Sequence, residues 1–206
     1  MKRRPLLALS ALAPLTAFLP AAHAAAVGQA APDFTLMDTA GKPVKLSDFR
    51  GKHVVLEWNN PGCPFVRKHY QGNMQALQKD AASKGIVWLA INSTEDASAD
   101  YLTAPQMARW MNEQKAAPTA TLMDEDGQVG RAFAARVTPH MYIVDPQGRL
   151  VYAGGIDSIP SARVDDIPKA TPYIRNAMAE IAAGKPLSVT TSRPYGCTIK
   201  YKGGAA

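Results

Sequence analysis

Short apolar runs alternating with helically spaced apolar residues constrain this chain more than any other feature. Residues 53–58 (His-Val-Val-Leu-Glu-Trp), 86–91 and 141–144 are each short for a buried helix and read as buried strands. After the first run, Val66, Tyr70, Met74, Leu77 and Ala81 fall on one face of a helix. Arg67, Lys68, Gln71, Gln75 and Lys79 occupy its other face, and Gly85 stops it. Thr103 can cap a second helix, with Pro105 in its first turn and Met107, Trp110 and Met111 along it. Residues 120–123 read as a short strand before the turn Asp124-Glu125-Asp126-Gly127, which lacks the pattern of a calcium loop. Residues 34–37 and 43–46 form a hairpin candidate, and Asp145-Pro146-Gln147-Gly148 joins residues 141–144 to 149–153 in another. Thr171 opens a last helix carrying Ile174, Ala177, Met178 and Ile181, ended by Gly184 and Pro186. The order predicts an α/β fold with a central mixed sheet flanked by helices on both faces.

At 206 residues there is material for one sizeable core and not comfortably for two. A formal charge of +6 suggests nucleic acid, but Lys2, Arg3 and Arg4 supply part of it. Without residues 1–24 the chain carries 20 basic and 17 acidic side chains, an ordinary balance that gives no reason to expect nucleic acid. Those residues have the form of a signal peptide. A basic start precedes a short apolar stretch (residues 6–19) broken by Pro14, and Ala22-His23-Ala24 offers a cleavage site near Ala24. The mature protein is therefore expected to be periplasmic or secreted. Residues 25–186 would form the folded domain and 187–206, without clear periodicity, a mobile tail. No stable membrane span is expected, since no run of about 18 apolar residues occurs.

The chemistry concentrates in Trp58-Asn59-Asn60-Pro61-Gly62-Cys63-Pro64-Phe65-Val66. A strand ends, a Gly/Pro turn follows, and Cys63 stands where a helix begins. Free backbone N–H groups and the helix dipole there favour a thiolate, with Arg67 and Lys68 expected to add positive potential. A thiolate attacks disulfides and peroxides. The alternative role is a buried structural cysteine.

These residues, with Ala31-Pro32-Asp33-Phe34, Leu46-Ser47-Asp48-Phe49-Arg50-Gly51-Lys52, Val137-Thr138-Pro139 and Tyr142-Ile143-Val144-Asp145-Pro146-Gln147-Gly148, resemble the thioredoxin-like redoxins of the AhpC/TSA group. The resemblance runs from about Ala31 to Ile156 and implies a thioredoxin-like fold and thiol–disulfide or peroxide chemistry with no cofactor or metal. It implies that Cys63 is the nucleophile and that Pro139 is a cis-proline whose turn sits against Cys63 and leaves backbone groups free for a substrate chain. Thr138, Asn60 and Pro64 join it as substrate-binding candidates. Glu57 stands where thioredoxins carry a buried, proton-moving carboxylate; a surface or ion-paired glutamate is the plainer reading.

Two departures matter. Val66 replaces the second cysteine of thioredoxins, so no local Cys-x-x-Cys disulfide can form. Asn60 stands where peroxiredoxins carry threonine or serine, and their later arginine is missing, with Arg136 the nearest basic residue. Thiol–disulfide exchange on a protein disulfide is therefore favoured over peroxide reduction, with a thiol reductant as the second partner. A non-catalytic binding module and a copper-handling protein are further readings; the latter needs the second turn cysteine that Val66 removes. Of the histidines, His140 is either a base near Cys63 or a structural residue opening a strand, His69 is expected in solvent, and His53 has no evident partner. Asn59 and Asn60 are thiolate donors or simple turn formers. Cys197 is the only other cysteine. It is expected to form a disulfide with Cys63, either as a resolving cysteine or as a permanent staple.

Overall fold

The computed structural model describes residues 25–204, so the signal peptide expected at residues 1–24 lies outside the described residues. Nine strands and five helices follow in order: β1 (Thr35–Asp38), β2 (Pro43–Lys45), β3 (Val54–Trp58), α1 (Pro64–His69), α2 (Asn73–Ser83), β4 (Val87–Asn92), α3 (Ala104–Glu113) and β5 (Ala120–Met123), then α4 (Gln128–Ala132), β6 (Val137–Thr138), β7 (His140–Val144), β8 (Leu150–Gly154), α5 (Tyr173–Ala182) and β9 (Cys197–Thr198). Seven strands form one sheet in the order β2-β1-β5-β4-β3-β7-β8. β3, β4 and β5 run parallel, whereas β7 and β8 continue the sheet antiparallel. The three apolar runs of the sequence are thus its centre, and every residue of β3, β4 and β7 is buried.

The two faces are covered unequally. On one, Val55, Trp88, Met141 and Ile143 meet Val66 of α1 and Tyr70 just after it, Met74 and Leu77 of α2, Met107 and Met111 of α3, and Ile174 and Met178 of α5. On the other, Leu56, Trp58, Leu89 and Tyr142 pack under Phe34, Phe133, Ile199 and Tyr201. α4, the N-terminal segment and the chain's C-terminal end supply that second layer.

Two sequence expectations are corrected. The helix running from Val66 to Ala81 is two helices, because Gly72 adopts φ 117°, a conformation that breaks the ladder and that glycine tolerates best. The apolar stripe continues across the break, which is why its periodicity looked unbroken. The segment after residue 187 is not a loose tail: Tyr195, Ile199 and Tyr201 are buried in the cores of the two faces. Asp124 opens the expected turn after β5. It is buried, accepts from Ser93 Oγ, and caps α4 through the Val129 and Gly130 N–H groups.

Candidate active site

Cys63 sits at the N-cap of α1, directly after the C-terminal end of β3, with Pro64 exposed in the first helical position. The turn that places it is closed by Asn60, whose Oδ1 accepts the Gly62 N–H at 2.7 Å while its Nδ2 reaches Thr94 Oγ1 at 3.1 Å. Asn60 is therefore engaged in building the turn. Cys63 is 2% exposed, and its Sγ donates to the Thr138 carbonyl at 3.1 Å. The Thr138–Pro139 bond is cis, as the family resemblance implied.

The C-terminal segment completes the site. β9 pairs antiparallel with β6, setting Cys197 opposite Thr138. Thr138 thus faces Cys197 along the ladder while its carbonyl accepts from Cys63, and both sulfurs are free. Burial, followed by the nearness of Cys63, pushes the Cys197 thiol up to about 12. Cys197 is thus held as a thiol.

The cations expected beside Cys63 point elsewhere. Arg67 Nε donates to the Pro61 carbonyl at 2.6 Å. Lys68 and His69, expected in solvent, are buried under the C-terminal segment. Lys68 Nζ lies 3.5 Å from Asp157 Oδ2, and His69 Nε2 lies 3.1 Å from the Tyr195 hydroxyl. Tyr195 in turn donates to Asp157 Oδ1 at 2.5 Å. Burial is the main cause that lowers His69 to about 4, with Lys68 adding to it and Asp157 opposing, so the ring is neutral at pH 7. His140 opens β7, lies within hydrogen-bonding distance of the Tyr142 hydroxyl and is lowered to about 3, chiefly by burial; this is the structural role. Arg136 is exposed and lines a cleft with Arg193, Thr198 and Tyr201.

Glu57 is fully buried on β3, which removes the surface reading. Tyr70 donates to Oε1 and Trp88 Nε1 to Oε2, each at 2.7 Å, with longer contacts from Gln78 and Asn59. Neither cysteine is among these partners. Burial raises the Glu57 carboxyl and outweighs the four donors. A carboxylate raised in the folded state contributes stability that is present below its unfolded value of about 4.3 and lost as pH rises through the folded one. Wild-type stability is therefore expected to fall relative to Glu57→Gln as pH rises above about 4. Paired urea titrations across that range check it, and parallel pH profiles would contradict it.

Residues 27–153 match the AhpC/TSA family. The chain belongs to that family. Its thioredoxin-like fold is shared with the thioredoxin domain of a thiol-disulfide oxidoreductase from Bacteroides vulgatus, at TM-score 0.51 and 23% identity over 70% of this chain and 96% of that one. An uncharacterized conserved protein from Geobacillus kaustophilus is similar over more of this chain, at TM-score 0.75 and 28% identity, covering 87% of this chain and 94% of that one. Thiol-disulfide oxidoreductase ResA of Bacillus subtilis strain 168 is 29% identical over 126 residues, 60% of this chain. That match spans 64% of the relative, just under two thirds of its length. The AhpC/TSA match ends before the segment carrying Cys197. A sequence signal for that segment existed: Tyr195, Cys197, Ile199 and Tyr201 alternate with Gly196, Thr198 and Lys200, the period of a strand.

Proposed function

We propose that the protein is an exported thiol–disulfide oxidoreductase in which Cys63 is the nucleophile and Cys197 the resolving cysteine. The observation that carries this reading is the convergence of the two cysteines on Thr138, whose carbonyl accepts from Cys63 Sγ at a helix start and which pairs with Cys197 across the β6–β9 ladder. Placed on either side of one residue, the two cysteines need no long-range motion to exchange a disulfide. The similarity to ResA supports the same class of reaction, and the signal-like residues 1–24 support export.

In the reductive direction the Cys63 thiolate attacks a substrate disulfide, forming a mixed disulfide and expelling one thiolate. Cys197 then gives up its proton and attacks the Cys63 sulfur, closing Cys63–Cys197 and releasing the second thiol; a dithiol reductant returns the pair. Thr138 and Pro139 frame the sulfur, Pro64 borders it on the solvent side, and Asn60 holds the turn. Glu57 is assigned a proton-holding role behind the turn, consistent with a carboxyl that burial drives toward its neutral form. Peroxide reduction has less support, because Asn60 is engaged within the turn and Arg136 faces a separate cleft. The test is turnover of glutathione disulfide with dithiothreitol as reductant. Wild type is expected to turn over, whereas Cys197→Ser should stall with glutathione bound to Cys63, seen by intact mass. Undiminished turnover in Cys197→Ser would remove the resolving role.

A further inference from the structure

The strand edge beside Cys63 is already occupied by the chain itself. Thr138 opposes Cys197 and Val137 opposes Thr198 in the β6–β9 ladder, and the Ile199 N–H donates to the Arg136 carbonyl at 3.0 Å. An extended polypeptide adding itself to β6 would run past the Cys63 sulfur, since the Thr138 carbonyl lies 3.1 Å from it. Main-chain pairing of that kind is how an exposed edge captures a peptide. Here no second strand fits, because a Cβ on Gly196 alone would stand 1.9 Å from the Thr138 oxygen.

The occupant is anchored on both sides of Cys197. Upstream, the Tyr195 hydroxyl is held by Asp157, His69 and Lys68, all buried. Downstream, Tyr201 packs against Gly127 and Gly130, where any Cβ would collide with its ring, and donates to the Ala135 carbonyl at 2.8 Å. Undocking the segment exposes Tyr195, Ile199 and Tyr201 and leaves the Asp157–Lys68 pair without its tyrosine.

From this arrangement we infer that residues 193–201 form a built-in occupant of the β6 edge that restricts Cys63 to low-molecular-weight disulfides and excludes extended polypeptide disulfides. The inference rests on the thiol–disulfide reading and narrows its substrate class. A small disulfide of the glutathione type needs no main-chain pairing and approaches past Gly62 and Pro64, both exposed. A polypeptide must first displace the segment. In the first step Cys63 forms one S–S bond, the bond of the attacked disulfide breaks, and one thiolate leaves and takes up a proton from water. When Cys197 resolves the adduct, the protein has lost two electrons and two protons and the small disulfide has become two thiols.

The test isolates that first step in full-length protein carrying Cys197→Ser, offered equimolar glutathione disulfide and insulin. Mixed disulfides on Cys63 are timed by mass spectrometry after acid quenching. With the segment docked, the glutathione adduct is expected to form first and the insulin adduct to lag. Adding Tyr195→Phe, which deletes the hydroxyl held by Asp157, should raise the insulin-to-glutathione ratio by about tenfold, the effect of losing one hydrogen bond to a charged group. An unchanged ratio in the Tyr195→Phe protein overturns the inference. So does an insulin adduct that forms as fast as the glutathione adduct in the Cys197→Ser protein, an arm that decides the matter even if Tyr195→Phe fails to fold. Absence of either adduct in both proteins would overturn the underlying thiol chemistry and the inference with it.

Discussion

Cys63→Ser should abolish disulfide turnover, by on the order of 10³-fold or more, while leaving the fold nearly untouched. The separation of the two effects follows from the position. Cys63 is the N-cap of α1, where serine is a preferred residue, and its only side-chain hydrogen bond to the backbone, to the Thr138 carbonyl, is one that a hydroxyl can also donate. What serine cannot supply at neutral pH is an anionic nucleophile able to attack sulfur and leave again. Steady-state exchange with glutathione disulfide and a thermal melt, made on the same preparation, check both halves. Retained turnover would move the chemistry away from Cys63, and a collapsed melt would show that the residue is primarily structural.

Gly196→Ala should uncouple the two cysteines. Gly196 adopts φ 142° and its Cβ position lies 1.9 Å from the Thr138 oxygen, a backbone atom that cannot swing aside. The strained conformation alone costs about 1–3 kcal/mol. Relief by lifting β9 would forfeit burial of Ile199, about 1.5–3 kcal/mol more, along with part of the tyrosine packing. The expected result is a lowered melting temperature and slow or absent Cys63–Cys197 disulfide formation, with Cys63 still able to form a mixed disulfide. Disulfide formation at the wild-type rate in Gly196→Ala would show that the thiols meet without the close approach seen here.

The central strands were legible because each is a run of apolar residues short enough to exclude a buried helix, and the Cys63 turn because its glycine and prolines punctuate a strand-to-helix junction. Glu57 was legible through its alternation with buried neighbours. The break at Gly72 was hidden by an apolar stripe that two helices share. α4 is too short for periodicity to register. Lys68 and His69 read as solvent-facing because their partners, Asp157 and Tyr195, lie about 90 and 126 residues away in sequence, a separation local pattern cannot report. The docked C-terminal segment was the costliest omission. Its alternation from Tyr195 to Tyr201 spans few residues, interrupted by glycine and lysine, and only its burial against both faces reveals it as part of the core.

The central claim, that Cys63 and Cys197 are working redox partners, is tested most directly by peptide mapping of full-length protein under non-reducing conditions after treatment with oxidised glutathione. One linked pair of peptides is predicted, joining the fragment that contains Cys63 to the fragment that contains Cys197, reopened by mild dithiothreitol without unfolding the protein. Two free thiols after oxidation, or a linkage that yields only to denaturant and strong reductant, would contradict it.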